Sequence, residues 1–244
     1  GLEYDATLVM LNEADSRQGR VLRLPYLQGT EQEVEAIVPL MQGKHVKFSL
    51  YTGEDGTEES FKALSGQPVS LIHLATHGYY LPLYDDALEQ IPSLRLSATM
   101  KDEDRTLLNA AVCMAGINNA HLASDLDTSD DGYLSAKEIA AMDLQGTDLV
   151  VLSACLTAEG EVTGEGVFGL QRGFKQAGAG TLLMSCWKVD DQATRLLMTS
   201  FYTHLLRGES KREAFVAAQK ELRANEKYND SRYWAAFILL DGLD

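Results

Sequence analysis

Short apolar runs alternate with amphipathic stretches along most of the chain. "ATLVML" (Ala6–Leu11) and "HVKFSLY" (His45–Tyr51) read as strands. Between them "TEQEVEAIVPLM" (Thr30–Met41) predicts a helix, opened by a threonine with acids in its first turn. "GTEESFKALS" (Gly56–Ser65) predicts the next helix, and "VSLIHLAT" (Val69–Thr76) a fully buried strand. From Tyr79 to about Asp131 the order breaks into an irregular insertion with one apolar run, "NAAVCMAGI" (Asn109–Ile117). Alternation then resumes with a helix over "SAKEIAAMDL" (Ser135–Leu144) and a strand over "TDLVVLSA" (Thr147–Ala154). A glycine-rich helix from about Glu165 to Gln176 and a strand over "TLLMSCWKV" (Thr181–Val189) come next. Helices near Asp191–Leu206 and Lys211–Asn225 follow, and "YWAAFILL" (Tyr233–Leu240) predicts a closing strand.

Strands separated by helices of this length need crossover connections, which favour a mostly parallel sheet with helices on both faces. Strands buried on both sides read as near-continuous apolar runs, as these do. No repeat or low-complexity linker divides the chain, so one domain over residues 1–244 is expected, interrupted at about 79–131. A start at Gly1 fits a piece excised from a longer chain.

Composition narrows the function class. The chain has 244 residues, 45% of them hydrophobic and 23% charged, with a formal net charge of −15. That balance disfavours a nucleic-acid partner, which needs a basic face. No apolar run approaches the roughly twenty residues of a membrane span, so no membrane partner is expected. Three cysteines, Cys113, Cys155 and Cys186, suit a reducing compartment better than a disulfide scaffold. The expected location is the cytoplasm.

Candidate chemistry lies where two apolar runs end. Ligands of open α/β sheets bind at the carboxyl ends of the strands. His77 stands just past one predicted strand and Cys155 just past another. If those strands are neighbours, His77 can take the thiol proton of Cys155 and later protonate a leaving amine. A thiol with a pKa near ~8.5 needs such a partner to act as a nucleophile. Gly78, without a Cβ, lets its backbone N–H approach a bound carbonyl, and with the N–H of Cys155 it can form an oxyanion hole. Cys113 and Cys186 lie inside apolar runs and read as inert thiols.

"IHLATHG", "DGYLSAKEI", "LVVLSACLTAEG", "GEGVFGLQRGFKQAGAGTLLMSCWKVDDQATRLLMTSFYTHLL" and "WAAFILLDG", in that order, resemble a CHAT domain. The resemblance covers nearly the whole chain and is weakest between Tyr80 and Arg105. It implies a caspase-like three-layer α/β sandwich, related to separase and often joined to tetratricopeptide repeats. It also implies a cysteine endopeptidase with a His77–Cys155 dyad acting on a protein substrate without a cofactor. A tetratricopeptide-repeat or other sensor domain or partner would hold it in check, in bacterial defence or cell death. By similarity to separase, Asp191 with Asp190, in the loop after Trp187, would line the pocket for a basic side chain, alongside Ser153. The alternative for the two aspartates is capping of the helix that begins near Gln192. "RLSATMKDEDR" (Arg95–Arg105) offers basic residues for processing, and the loop from Leu156 to Gly164 is expected to face substrate.

Two motifs compete for attention. "DTSDDGYLSAKE" (Asp127–Glu138) spaces Asp127, Ser129, Asp131, Gly132 and Glu138 as a calcium-binding EF-hand loop does. The same residues also read as a turn followed by a helix cap. "GEGVFG" (Gly164–Gly169) outlines a dinucleotide fingerprint, but residues 155–163 separate it from the strand end, so packing glycines are the preferred reading. The competing class for the whole chain is a catalytically latent interaction or scaffold module, regulated by a partner or by calcium.

Overall fold

The computed structural model describes residues 5–10, 27–80, 107–117, 130–156 and 164–240. The main sheet contains β1 (Asp5–Met10), β2 (Lys47–Tyr51), β3 (Leu71–Ala75), β7 (Leu149–Leu152), β9 (Thr181–Ser185) and β10 (Phe237–Leu240). Their spatial order is β10-β9-β7-β3-β1-β2. Every pair is parallel except β9 with β10. A second sheet, ordered β6-β5-β4-β8, holds β4 (His77–Tyr80), β5 (Ala110–Cys113), β6 (Tyr133–Ser135) and β8 (Cys155–Leu156).

Alternate residues of the central strands point to opposite faces. Leu71 and Ala75 of β3, Leu149 and Val151 of β7, and Leu183 of β9 face one hydrophobic core. That core is closed by α1 (Gln28–Gly43), α5 (Asp191–Leu205) and α6 (Lys211–Ala224), through side chains such as Ile37, Leu197 and Phe215. Ile72, Leu74, Val150, Leu152, Leu182 and Met184 face the opposite core. There α2 (Glu58–Lys62), α3 (Ala136–Ala140) and α4 (Gly164–Gln176) contribute Phe61, Ile139 and Phe174. A short α7 (Ser231–Trp234) leads into β10. The expected three-layer α/β sandwich with a mostly parallel central sheet is the observed architecture.

Three expectations need correction. The strands expected over "VSLIHLAT" and "TDLVVLSA" are β3 and β7, but after the breaks at Thr76 and at Ser153–Ala154 each is followed at once by a further short strand of the second sheet, which was not expected. The apolar run Asn109–Ile117 is not irregular, since β5 pairs antiparallel with both β4 and β6. "YWAAFILL" is half helix end and half strand, and β10 starts only at Phe237.

The glycine-rich helix packs as closely as its composition suggests. A Cβ on Gly173 would lie 2.5 Å from the carbonyl oxygen of Ala136 at the start of α3. Gly173→Ala gains up to about 1 kcal/mol of helix propensity. Against a backbone atom the overlap has no side-chain relief, and overpacking costs about 1–3 kcal/mol. The variant is expected to be less stable than the parent by denaturant melting; equal or greater stability would show that α4 and α3 are free to separate.

Candidate active site

Two chain breaks build the candidate site. Strands β3 and β7 pair in parallel from Leu71 with Leu149 to Leu74 with Leu152. Both chains then cross into the second sheet, where β4 and β8 are again parallel neighbours. Their first register pair is His77 with Cys155, followed by Gly78 with Leu156. The register of β3 with β7 is therefore kept through the break. At an ordinary strand spacing of about 4.8 Å, the backbones of His77 and Cys155 are adjacent.

Each break is held by buried hydrogen bonds. Thr76 Oγ1 donates to the carbonyl of Cys113 at 2.7 Å, tying the residue before His77 to the end of β5. Ser153 N donates to the Leu74 carbonyl at 2.9 Å, and Ser185 Oγ donates to the Ala154 carbonyl at 2.9 Å. Gly78 is buried and His77 half-buried.

The residues expected to line a substrate pocket separate into different roles. Asp190 is the N-cap of α5, with a carboxylate oxygen accepting from Ala193 N at 3.0 Å. The capping alternative holds for Asp190. Asp191 is exposed, and its side chain sits over Gly29 in the first turn of α1, where a Cβ would overlap it. Burial of its carboxyl, then the nearby charges of Asp190 and Glu33, raise the Asp191 pKa against the opposing effect of Lys188. Trp187 directs its indole N–H to the Arg232 carbonyl at 2.9 Å and so anchors α7. Ser153 is buried, and its hydroxyl donates to Glu33 Oε2 at 2.7 Å.

Glu33 and His73 were missed by the sequence reading. Glu33 is 2% exposed and His73 fully buried, with His73 Nε2 3.2 Å from Glu33 Oε1. The pair is close enough for ionic attraction, but neither atom completes a hydrogen bond. On its other side His73 Nδ1 meets the buried hydroxyl of Tyr202 at 2.9 Å. The signal was present: Glu33 falls in the stripe of α1 that buries Thr30, Val34, Ile37 and Met41, and His73 interrupts an otherwise apolar strand.

The model of the CHAT domain family matches residues 3–242. The chain belongs to the CHAT domain family. This CHAT domain thus falls within the caspase-like peptidase superfamily. Tetratricopeptide repeat protein 28 of Homo sapiens is 31% identical over 117 residues, and the Mus musculus protein of the same name 32% identical over 123. Each match takes in 48% of this chain but only 5% of the relative, so the chain spans a small part of those proteins. The solved structure of the pyridoxal kinase from Staphylococcus aureus in complex with pyridoxal aligns over 88% of this chain and 85% of its own, at 9% identity. Its TM-score of 0.30 is too low to support a comparison. Among the described residues no helix is long and apolar enough to cross a membrane.

The other cysteines of the CHAT domain sit in different surroundings. Burial pushes the Cys113 thiol up to about 12, and burial also raises that of half-buried Cys186. In the EF-hand-like segment Gly132 has φ 82°, and a Cβ there would overlap the backbone of Ile117. Asp131 Oδ1 accepts from Tyr133 N at 2.9 Å. Glu138 completes a capping box with Ser135 at the start of α3, and its Oε1 lies 2.9 Å from Lys62 Nζ. Asp127, Ser129, the Arg95–Arg105 segment and residues 157–163 lie outside the described residues. Among those described, no group of three or more His, Cys, Asp or Glu could hold a metal ion.

Lys62 also contacts Glu58 Oε2 at 2.8 Å, while Gly132 N donates to Glu58 Oε1 at 2.6 Å. With Asp130 Oδ1 at 3.3 Å as well, one ammonium is shared by three carboxylates. Burial, with Glu138 as a second anion, raises the Glu58 pKa from the usual 4.5 to about 8. A raised carboxyl pKa means the fold holds a proton that the unfolded chain has already released. Its stabilising contribution is complete below about pH 4.5 and is lost as pH rises toward 8. The Glu58→Gln variant is expected to gain stability relative to the parent between pH 5 and 8, by at most about 1.4 kcal/mol per pH unit for one proton. Denaturant melts at both pH values test this; a difference that does not change with pH would overturn the assignment.

Proposed function

We propose that this domain is a cysteine endopeptidase acting through His77 and Cys155. The observation that carries the reading is the register pairing of those two residues at the first step of β4 and β8. Cys155 Sγ would bond to the substrate carbonyl carbon as its proton passes to His77. Collapse of the tetrahedral adduct breaks the C–N bond, and His77 gives the proton to the departing amine. Water then hydrolyses the thioester, with His77 again accepting the proton. The backbone N–H groups of Gly78 and Cys155 hold the developing oxyanion, a donor of this kind contributing roughly 3 kcal/mol. No cofactor enters these steps.

Preference for a basic residue before the scissile bond follows in this reading from Asp191, exposed beside the start of α1. Because both curated relatives are named as tetratricopeptide repeat proteins, we assign a repeat domain or partner as the element that holds the peptidase in check until triggered.

An acyloxymethyl-ketone probe bearing arginine, with mass spectrometry to locate the adduct, tests the reading. Labelling is expected on Cys155, absent in Cys155→Ala and slowed about a hundredfold or more in His77→Ala. An aspartate-bearing probe should label far less. Modification of Cys186 in place of Cys155, or labelling indifferent to His77, would sink the dyad. Silence of the chain toward every probe, with and without calcium, would favour a latent interaction module.

A further inference from the structure

Helix α6 buries Ala214, Phe215, Ala218 and Leu222 against the core. Val216, Lys220 and Arg223, spaced four and three residues apart, therefore share its outward face, and all three are exposed. Both acids of the helix are already occupied. Glu213 closes the capping box with Ser210, while Glu221 accepts from the Ser200 hydroxyl at 2.6 Å and meets His204 Nε2 at 3.0 Å. Among the described residues, neither Lys220 nor Arg223 is in an ion pair. In a chain with a formal net charge of −15, these cations stand out.

The short α7 completes the surface. The Arg223 guanidinium lies over the Trp234 ring, 5.2 Å from its centroid, and that of Arg232 over Tyr233 at 4.9 Å. Lys227 lies 4.8 Å from the centroid of Tyr228, whose ring meets Tyr233 edge-on. The Trp234 ring is fixed in turn: its indole N–H donates to the Asn229 carbonyl, and Gln219 Nε2 donates to the Trp234 carbonyl, both at 3.0 Å. A guanidinium held over an aromatic face keeps its donors for a carboxylate and has less freedom left to lose on binding one. The competing ion pair, Arg232 Nε with Asp230 Oδ2, is loose at 3.8 Å.

We propose that this α6–α7 face docks a short acidic segment of a protein partner, one that carries an apolar residue among its carboxylates. The carboxylates meet Lys220, Arg223 and Arg232, and the apolar residue meets exposed Val216 and half-buried Trp234. Charge decides the class of partner. Glu226 and Asp230 are exposed beside the cations, and the chain as a whole is acidic, so an unbroken phosphate backbone or anionic membrane is repelled at the rim. A short segment places its carboxylates only where the cations stand. One exposed ion pair contributes little, so recognition needs several together. The face touches the candidate site through Trp187, whose indole N–H donates to the Arg232 carbonyl, but docking here does not depend on the peptidase reading.

Binding of acetyl-Glu-Glu-Leu-Glu-Glu amide to the whole chain tests this by intrinsic fluorescence. The chain has two tryptophans, and both, Trp187 and Trp234, belong to this region. The glutamine counterpart of the peptide is expected to bind at least about tenfold more weakly, and added salt should weaken the acidic peptide. Replacing Arg223→Gln and Arg232→Gln together should weaken it about tenfold or more. Lys220→Gln, at an exposed position, should weaken it severalfold and covers the case in which the double variant fails to fold. No binding of the acidic peptide, equal affinity for its glutamine counterpart, or unchanged affinity in the folded variants would each overturn the proposal. Tighter binding of an oligothymidylate with the same four charges would assign the face to nucleic acid instead, and tighter binding of phosphatidylserine vesicles to a membrane. A concentration-dependent dimer that Lys220→Gln dissolves would assign it to a second copy of the chain.

Discussion

Strands β3 and β7 must leave the main sheet at the same level if the residues that follow them are to remain neighbours. Parallel pairing makes this a strict condition, because a slip of one residue would turn every side chain of the shorter segment to the other face. The condition is met by buried hydrogen bonds at the two breaks. Thr76 is tied to β5, while Ser153 and Ala154 are tied to β3 and β9. The breaks also divide the work. The six-stranded sheet supplies two hydrophobic cores, and the four-stranded sheet begins at the residues proposed for chemistry. A straight continuation of β3 would have left His77 within the ladder between β1 and β7.

The polar chain beneath this junction works against hydrophobic economy. Replacing a buried charged group and its partners with apolar side chains of similar volume is often neutral or stabilising. Glu33, His73 and Tyr202 nonetheless occupy the core between α1, β3 and α5, where Leu71 and Ala75 on the same strand face are apolar. Their contacts join elements distant in sequence: Glu33 meets Ser153 across the sheet end, and His73 lies four residues before His77. A network of this kind contributes orientation at the cost of some stability, which fits a place where positions must be exact to a fraction of an ångström.

Much of the fold was legible because periodicity and burial agree. The helices at Asp191–Leu205 and Lys211–Ala224 fall within a residue of their expected bounds, marked by an aspartate and a serine cap. The two-sheet arrangement was not legible. Nothing in "LIHLATHG" distinguishes one continuous strand from two joined at a threonine, since the hydrogen bond that makes the break comes from Thr76 to a distant carbonyl. Asn109–Ile117 looked irregular because its strand partners, β4 and β6, stand on either side of long polar stretches. The positions of His77 and Cys155 at strand ends were legible; that they share a register step needed the pairing itself. Glu33 was hidden for a different reason: "TEQEVEAI" carries three acids, and only tertiary contact separates the buried one from the rest.

The likeness of Asp127–Glu138 to a calcium loop has a physical source in the described part of the segment. An EF-hand needs glycine sixth for a left-handed turn and glutamate twelfth at the start of a helix. Here Gly132 is required by its positive φ and by the Ile117 backbone against it. Glu138 is required by the capping box of α3 and shared with Lys62. Asp131 closes a two-residue turn onto Tyr133 N. Each signature residue among those described is thus employed by turn and cap chemistry. The aspartate pair at α5 follows the same logic, because adjacent residues at a helix start face about 100° apart. Asp190 is bound to the backbone as the cap and Asp191 is turned toward α1, so the same dipeptide both starts the helix and leaves one carboxylate for the candidate site.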